Sequence, residues 1–254
     1  MVHFVGAGPG APDLITVRGA DLLAKADCVI YAGSLVNPAL LERTKPGCEI
    51  HNSAVMTLEQ VIEVMRKADS EQKDVVRLHT GDASLFGAIR EQMDELDRLG
   101  IAYDSTPGVS SFCGAAAALS AEYTLPGVSQ SLIISRMAGR TPVPPGESLS
   151  SLAAHGASMV LFLSSGLLHE VQDELLRGGL SPETPAAIVY KATWPDERVI
   201  RCTVGTLAQR GEEEEIRKTA LLLIGQFLDP RYERSCLYDP SFTTEFRQAE
   251  QPKP

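Results

Sequence analysis

The chain has no apolar run approaching the roughly 18 residues that a membrane-spanning helix needs, so no span and no membrane partner are expected. It has no surplus of positive charge either: 23 Lys and Arg stand against 33 Asp and Glu, a formal net charge of −10. Nucleic-acid binding needs clustered basic residues to release counterions, and is not expected here. Cysteine is scarce and scattered. Cys28, Cys48, Cys113, Cys202 and Cys236 are odd in number and hold no CxxC pair, which argues against structural zinc and a disulfide framework and fits a reducing cytoplasm. The five histidines are dispersed, so no metal is expected. The first residues go straight into a strand-like run, without the basic region and cleavage site of a signal peptide, and none is expected. A negative chain that acts on an anion must do so through a local basic pocket.

What is present is a globular α/β pattern. With 254 residues, 44% of them hydrophobic, there is room for one large domain or two ordinary ones with real cores. In the first half, apolar runs at 3–5, 28–31, 75–78 and 101–104 predict strands. Periodic segments at 14–25, 58–68, 85–96 and 110–119 predict helices, with Gly100 as a C-cap. Alternation of this kind predicts parallel β-α-β units. After a Gly- and Pro-rich loop at 138–146, strands are predicted at 158–163, 186–190, 199–204 and 220–224, with helices at 168–176 and 207–217. Three strands so close together imply a mixed sheet. The acidic run 212–215 reads as a solvated helix face. The domain reading is 1–118 for an N-terminal α/β domain, 119–242 for a C-terminal α/β domain, and 243–254 for a flexible polar tail.

Gly6-Ala7-Gly8-Pro9-Gly10-Ala11 follows the first strand and formally matches the GxGxxA turn that holds a pyrophosphate at a helix N-terminus. Two features oppose a nicotinamide site. The second strand ends Ile30-Tyr31-Ala32-Gly33, with no acid for a ribose. Pro12 and Asp13 also separate the glycines from the helix. A structural tight turn is the plain alternative; a stiff loop lining a site for adenosine without phosphates is the third, because Pro9 fixes φ and removes an N–H. Two more turns follow strands: Thr80-Gly81-Asp82 and Thr106-Pro107-Gly108 running into Ser110 and Ser111. In a parallel sheet such turns share the carboxyl edge, where open α/β folds bind ligands. Asp82 is also placed to cap the helix expected just after it.

VGAGPGAPDLITVRGADLLAKADCVIYAGSLV, RLHTGDASLFG and TPGVSSFCGAAAAL, in that order, resemble the signatures of the tetrapyrrole (corrin and porphyrin) methyltransferase family. YKATWPDERVIRCTVGTL resembles the stretch seen in the branch that methylates C11 of precorrin-4. The resemblance runs over about residues 2 to 230. It implies two α/β domains, an N-terminal parallel sheet and a C-terminal mixed sheet, with an active-site cleft between them, in a cytoplasmic homodimer. It implies S-adenosylmethionine as methyl donor and S-adenosylhomocysteine as product. Carried over, the cofactor contacts fall on Pro9, Thr80, Gly81, Asp82, Leu85, Ser110 and Ser111, then on Leu163, Ser164 and Ser165, and on Lys191, Ala192 and Thr193.

The implied activity is methylation of precorrin-4 at C11 to precorrin-5 in cobalamin biosynthesis. Alternatives are another corrin position or uroporphyrinogen III and, from another class, a nicotinamide oxidoreductase. The uroporphyrinogen branch carries an Asp where this chain has Ala32, and a lysine that is missing from His51-Asn52-Ser53-Ala54. No catalytic base is therefore assigned. Methyl transfer from a sulfonium to an electron-rich carbon is chiefly a positioning problem. The substrate is a polycarboxylate, and by position its candidate partners are His79, Arg136, Lys191 and Arg198.

Overall fold

The computed structural model describes residues 1–33, 35–229 and 231–249. Residues 250–254 of the expected tail lie outside the described residues. The chain divides into two compact units, Met1–Ala115 with Lys191–Glu197, and Ala116–Tyr190 with Arg198–Pro254.

In the first unit the order is β1 (Val2–Gly6), α1 (Val17–Lys25), β2 (Cys28–Tyr31), β3 (Glu49–Asn52), α2 (Leu58–Ser70), β4 (Val75–His79), α3 (Arg90–Leu99) and β5 (Tyr103–Thr106); α4 (Ser111–Leu119) then runs into the second unit. The five strands form one parallel sheet in the order β3-β2-β4-β1-β5. A parallel sheet is covered on both faces, which is why β1, β2 and β4 read as near-continuous apolar runs. Val2, Phe4, Ile30 and Val75 face α2 and α3, while Val5, Val29, Val76 and Leu78 face Leu23 of α1 and Leu40. The caps are local: Thr16 accepts from Gly19 N to start α1, and Thr57 with Gln60 closes a capping box on α2. One consequence positions the site. The neighbours β1 and β4 send their chains to helices on opposite faces of the sheet, so their carboxyl ends form a topological switch point.

In the second unit come β6 (Leu132–Arg136), α5 (Leu149–Ala153), β7 (Ser158–Phe162), α6 (Leu168–Arg177), β8 (Pro185–Tyr190), β9 (Arg198–Thr203), α7 (Leu207–Glu213) and β10 (Ala220–Ile224). The sheet is mixed, in the order β6-β7-β10-β8-β9, with β6 and β7 parallel and the other pairs antiparallel. Its core packs Leu161, Ile188 and Leu222 against Val171 and Leu175 of α6 and Leu207 of α7.

Several boundaries differ from the sequence expectation. The helix expected at 85–96 starts only at Arg90, because residues 83–89 form an irregular turn with Phe86 and Ala88 at positive φ. The helix expected at 14–25 begins at Val17, where Thr16 provides the cap. The helix expected at 207–217 ends at Glu213, and Glu215 has a left-handed φ of 55°, so half of the acidic run is a solvated turn. The strand expected at 101–104 lies two residues later, at Tyr103–Thr106. β3 and β6 were not anticipated. Both are edge strands; β3 carries the polar residues of an edge and little apolar signal, whereas β6 holds the short apolar run Leu132-Ile133-Ile134 that the sequence expectation omits.

Candidate active site

The three glycine turns meet backbone to backbone at the switch point. Gly8 and Gly81 exchange hydrogen bonds, Gly8 N to Gly81 O at 3.3 Å and Gly81 N to Gly8 O at 2.8 Å, and Ala7 N donates to His79 O at 2.7 Å. A Cβ on Gly108 would stand 2.1 Å from Gly81 O and 2.7 Å from Gly6 Cα, so only glycine lets the third loop close onto the other two. Gly81 itself has φ +59°, and a Cβ there would be in van der Waals contact with Ser110 Cα and Ser111 N at 3.4 Å and Ser110 Oγ at 3.8 Å. Gly81 thus packs directly against the start of α4 at Ser110 and Ser111, and its left-handed φ is what favours glycine there. The glycines of β1's loop do not sit on a helix end, because α1 starts at Val17. The pyrophosphate-binding geometry of a dinucleotide turn is absent from this loop.

Asp82 does not cap a helix. Its Oδ1 accepts from Ser84 N at 2.8 Å and from Ser84 Oγ at 2.5 Å, and its Oδ2 accepts from Gly108 N at 2.8 Å. The carboxylate therefore fastens β5's loop to β4's loop. Partial burial works to raise its pKa, but the bonds from Ser84 and Gly108 outweigh burial and hold it below the ordinary value. Thr80 Oγ1 donates to Leu35 O at 3.2 Å. Leu85 lies in the irregular turn before α3, held from below by Gln92, whose Nε2 donates to Ala88 O at 3.0 Å. Gln92 Oε1 in turn accepts from Arg77 Nε at 3.0 Å, and Arg77 also donates to Ile30 O. Arg77 is buried on β4 with these neutral partners, and burial lowers its pKa to about 10.

Pro9 and Gly10 are walled by the segment Lys191–Glu197. Ala11 N donates to Thr193 Oγ1 at 3.0 Å, and a Cβ on Gly114 would stand 3.0 Å from Thr193 Cγ2 and 3.1 Å from Pro9 Cβ. A Cβ on Gly10 would overlap Trp194 Cδ1, at 2.1 Å. Thr193 N donates to Glu197 Oε2 at 2.6 Å, while Lys191 Nζ bonds Asp196 Oδ2 at 2.6 Å and lies over the Trp194 ring. Ala192 is buried. Lys191 and Thr193 are both left-handed, with φ +47° and +68°. Non-glycine residues in that region cost of order 1–3 kcal/mol and cluster at functional sites. The first unit therefore gathers Pro9, Thr80, Gly81, Asp82, Ser110, Ser111 and Thr193 around one junction.

In the second unit, Leu163 follows β7 with φ +52° and is 65% exposed. Ser164 is fully buried; its Oγ donates to Phe162 O at 2.7 Å and accepts from Met137 N at 2.8 Å, which ties the ends of β6 and β7. Ser165 is buried beside it.

The substrate candidates fare differently. His79 is 4% exposed, and burial, reinforced by Arg77, lowers its pKa to about 3. It is neutral at ordinary pH and offers no charge to a carboxylate, because β4 is buried on both faces and alternation sets His79 on the same face as Arg77. Arg136 donates to Met137 O, Thr141 O and Pro142 O, so it braces the loop 137–142. Arg198 is engaged by Glu214 and stacks over the Tyr190 ring at 4.8 Å. Lys191 is bound to Asp196. None of the four presents an unoccupied cation.

Residues that sequence reasoning missed are those that fasten the loops. Asn37 Nδ2 donates to Gly10 O at 2.9 Å, and Trp194 backs Gly10. The lone tryptophan, inside the YKATWPDE stretch, was the available signal; Asn37 carried none. Among the described residues no group of His, Cys, Asp and Glu could hold a metal ion, and no helix is long and apolar enough to cross a membrane.

Backbone-lined loops at the switch point of a parallel sheet define an α/β ligand-binding protein of the open-sheet class. The chain belongs to the tetrapyrrole (corrin/porphyrin) methylases, whose family model matches residues 1–208. It is 50% identical over 249 residues to the cobalt-precorrin-4 C(11)-methyltransferase of Methanocaldococcus jannaschii, covering 98% of this chain and 96% of that protein. It is similar to the X-ray structure of a cobalamin biosynthetic enzyme, cobalt-precorrin-4 methyltransferase, with a TM-score of 0.88 and 48% identity over 90% of this chain and 96% of that one. It is also similar to the uroporphyrin-III C-methyltransferase of Thermus thermophilus complexed with S-adenosylhomocysteine, with a TM-score of 0.77 and 28% identity over 92% of this chain and 95% of that one.

Proposed function

We propose that the protein is an S-adenosylmethionine-dependent methyltransferase that methylates C11 of precorrin-4, or of its cobalt form, in cobalamin biosynthesis. The observation that carries this reading is the junction of the three glycine turns. It is a cradle of backbone groups in which Gly8 pairs with Gly81, Gly108 closes on both loops and Gly81 lies against Ser110 and Ser111, and it carries no phosphate-type helix N-terminus on the first loop. Such a cradle suits a neutral nucleoside with an amino-acid tail. Full-length likeness to proteins named for this reaction supports the choice of substrate. Ala32, in place of the acid of the uroporphyrinogen branch, supports a later corrin step.

When bound, S-adenosylmethionine supplies an electrophilic methyl group, and the macrocycle carbon supplies the electron pair for the new bond. The chain's own part is to hold and align. Pro9, Thr80, Gly81, Leu85, Ser110, Ser111 and Thr193 line the cofactor loops. Asp82, Asn37 and Trp194 keep those loops in place. The backbone carries no charge that must reorganise as the sulfonium charge is lost, so a preformed cradle aids the transfer. The same resemblance carries the homodimer and the cytoplasmic location.

The test is direct. Titration calorimetry with S-adenosylhomocysteine should show binding, and Gly81→Leu, which drives a side chain into the junction with Ser110 and Ser111, should abolish it while the protein stays folded. Incubation with S-adenosylmethionine and precorrin-4 or cobalt-precorrin-4 should add a single methyl group by mass spectrometry. Absence of S-adenosylhomocysteine binding, or methylation of uroporphyrinogen III alone, would overturn the assignment.

A further inference from the structure

The mixed sheet has one edge at which cations gather. The register aligns Arg136 of β6 with Phe162 of β7, Ala220 of β10 with Tyr190 of β8, and Tyr190 with Arg198 of β9. The carboxyl ends of β6, β7 and β8 and the amino ends of β9 and β10 therefore share that edge. The chain leaving β6 carries Arg140, and the chain entering β10 carries Arg217 and Lys218. The two segments flank one turn: a Cβ on Gly139 would stand 3.3 Å from Leu167 Cδ1, and a Cβ on Gly166 would stand 3.2 Å from Arg217 O.

Arg140, Arg217 and Lys218 are exposed, and unlike Arg136 and Arg198 they are not engaged by any hydrogen bond or ion pair among the described residues. Nearby acids are mostly committed. Glu214 is held by Arg198 and Glu212 by His169, which leaves Glu215 and Glu170 on the flanking segments. Arg136 has a clear part in this arrangement. Its guanidinium grips the carbonyls of Thr141 and Pro142, and so fixes the loop that presents Arg140. In a chain with a net charge of −10, three unengaged cations at one sheet edge are a local reversal of sign.

We infer that Arg140, Arg217 and Lys218 form a rim that binds the carboxylate side chains of the tetrapyrrole, and that Arg136 is a positioning residue for Arg140. The inference rests on the tetrapyrrole reading above. Two flexible arginines and a lysine suit a substrate with many carboxylates on mobile arms, since each arm finds a donor without a single rigid fit.

Steady-state kinetics with precorrin-4 and S-adenosylmethionine test it, using Arg140→Glu and the double variant Arg217→Glu/Lys218→Glu. Each should raise KM for the tetrapyrrole at least tenfold, leave KM for S-adenosylmethionine within twofold, and flatten the rise of tetrapyrrole KM with salt. Arg140→Lys should restore KM to within about threefold of wild type. If a charge-reversed variant unfolds, Arg140→Gln and Arg217→Gln/Lys218→Gln give the same comparison with a smaller shift. Tetrapyrrole KM within twofold of wild type in the folded variants, with the same salt dependence, would overturn the rim. A wild-type protein that does not methylate precorrin-4 would instead overturn the substrate assignment, and the rim with it; the two failures are told apart by the wild-type control.

Discussion

Gly108→Ala is the substitution that interrogates the loop junction most directly. The added methyl carbon would stand 2.1 Å from Gly81 O and 2.7 Å from Gly6 Cα. A comfortable carbon–oxygen separation is about 3.3 Å, so the loops after β4 and β5 must part by roughly 1 Å. That movement breaks the contact between Asp82 Oδ2 and Gly108 N, now 2.8 Å, and strains the Gly8–Gly81 pair. Overpacking costs about 1–3 kcal/mol, and a lost hydrogen bond to a charged group about 1.5–3 kcal/mol. Together they give about 3–5 kcal/mol. If half of that falls on the binding-competent arrangement of the loops, S-adenosylhomocysteine affinity drops about 30-fold. Gly47→Ala is the control: it also has positive φ, at +82°, but nothing lies within 4 Å of its Cβ position. It should cost only the backbone strain of about 1–2 kcal/mol and leave affinity unchanged. Calorimetric titration and urea unfolding of the two variants make the comparison. Equal S-adenosylhomocysteine affinity in Gly108→Ala and Gly47→Ala would refute the idea that the three glycines set the cradle.

Three further outcomes are expected. His79 titrates near 6.5 when unfolded and near 3 when folded, so the unfolded chain binds more protons between those values and stability is lost as pH falls through that window. At pH 5 the loss amounts to roughly 2 kcal/mol, and His79→Phe should remove it, shown by a smaller drop in urea midpoint between pH 8 and pH 5; a wild-type acid slope in the variant contradicts the burial argument. Gln92→Glu keeps an acceptor for Arg77 but puts a carboxylate against Ala88 O in place of a donor, so it should weaken S-adenosylhomocysteine binding about tenfold through the Leu85 turn; unchanged affinity in the folded variant separates Gln92 from the site. Arg136→Ala should raise tetrapyrrole KM, yet add nothing in an Arg140→Ala background; additive effects in that double-mutant cycle would mean that Arg136 meets the substrate itself.

Much of the fold was legible in the sequence because buried parallel strands announce themselves as apolar runs. β1, β2 and β4 did so, and the three glycine turns between strand and helix marked one edge of the sheet. Edge strands such as β3, Glu49–Asn52, carry polar residues and gave no such signal. The helix expected at 85–96 misled because its apolar spacing continues through residues 85–89, while Phe86 and Ala88 take positive φ and Ala88 O is held by Gln92, which apolar spacing does not encode. His79 looked like a ligand donor because it adjoins Thr80-Gly81-Asp82; as the last residue of a central parallel strand it is buried whichever face it takes. Arg140, Arg217 and Lys218 come together only through the register of β6, β7 and β10, and sequence spacing alone cannot bring them to one edge.

The segment Lys191–Glu197 has a consequence for how the protein is made. Ala11 and Thr193 are hydrogen-bonded across a separation of 182 residues, and Trp194 backs Gly10. A ribosome that has released the first 115 residues has therefore supplied every strand of the parallel sheet but not the wall of its first loop. That loop stays open until residue 197 has emerged, after β8 has been synthesised and before β9. An N-terminal fragment ending near residue 115 would carry the glycine turns and still lack the wall of the first loop, so under the proposed function the cradle is completed late in translation.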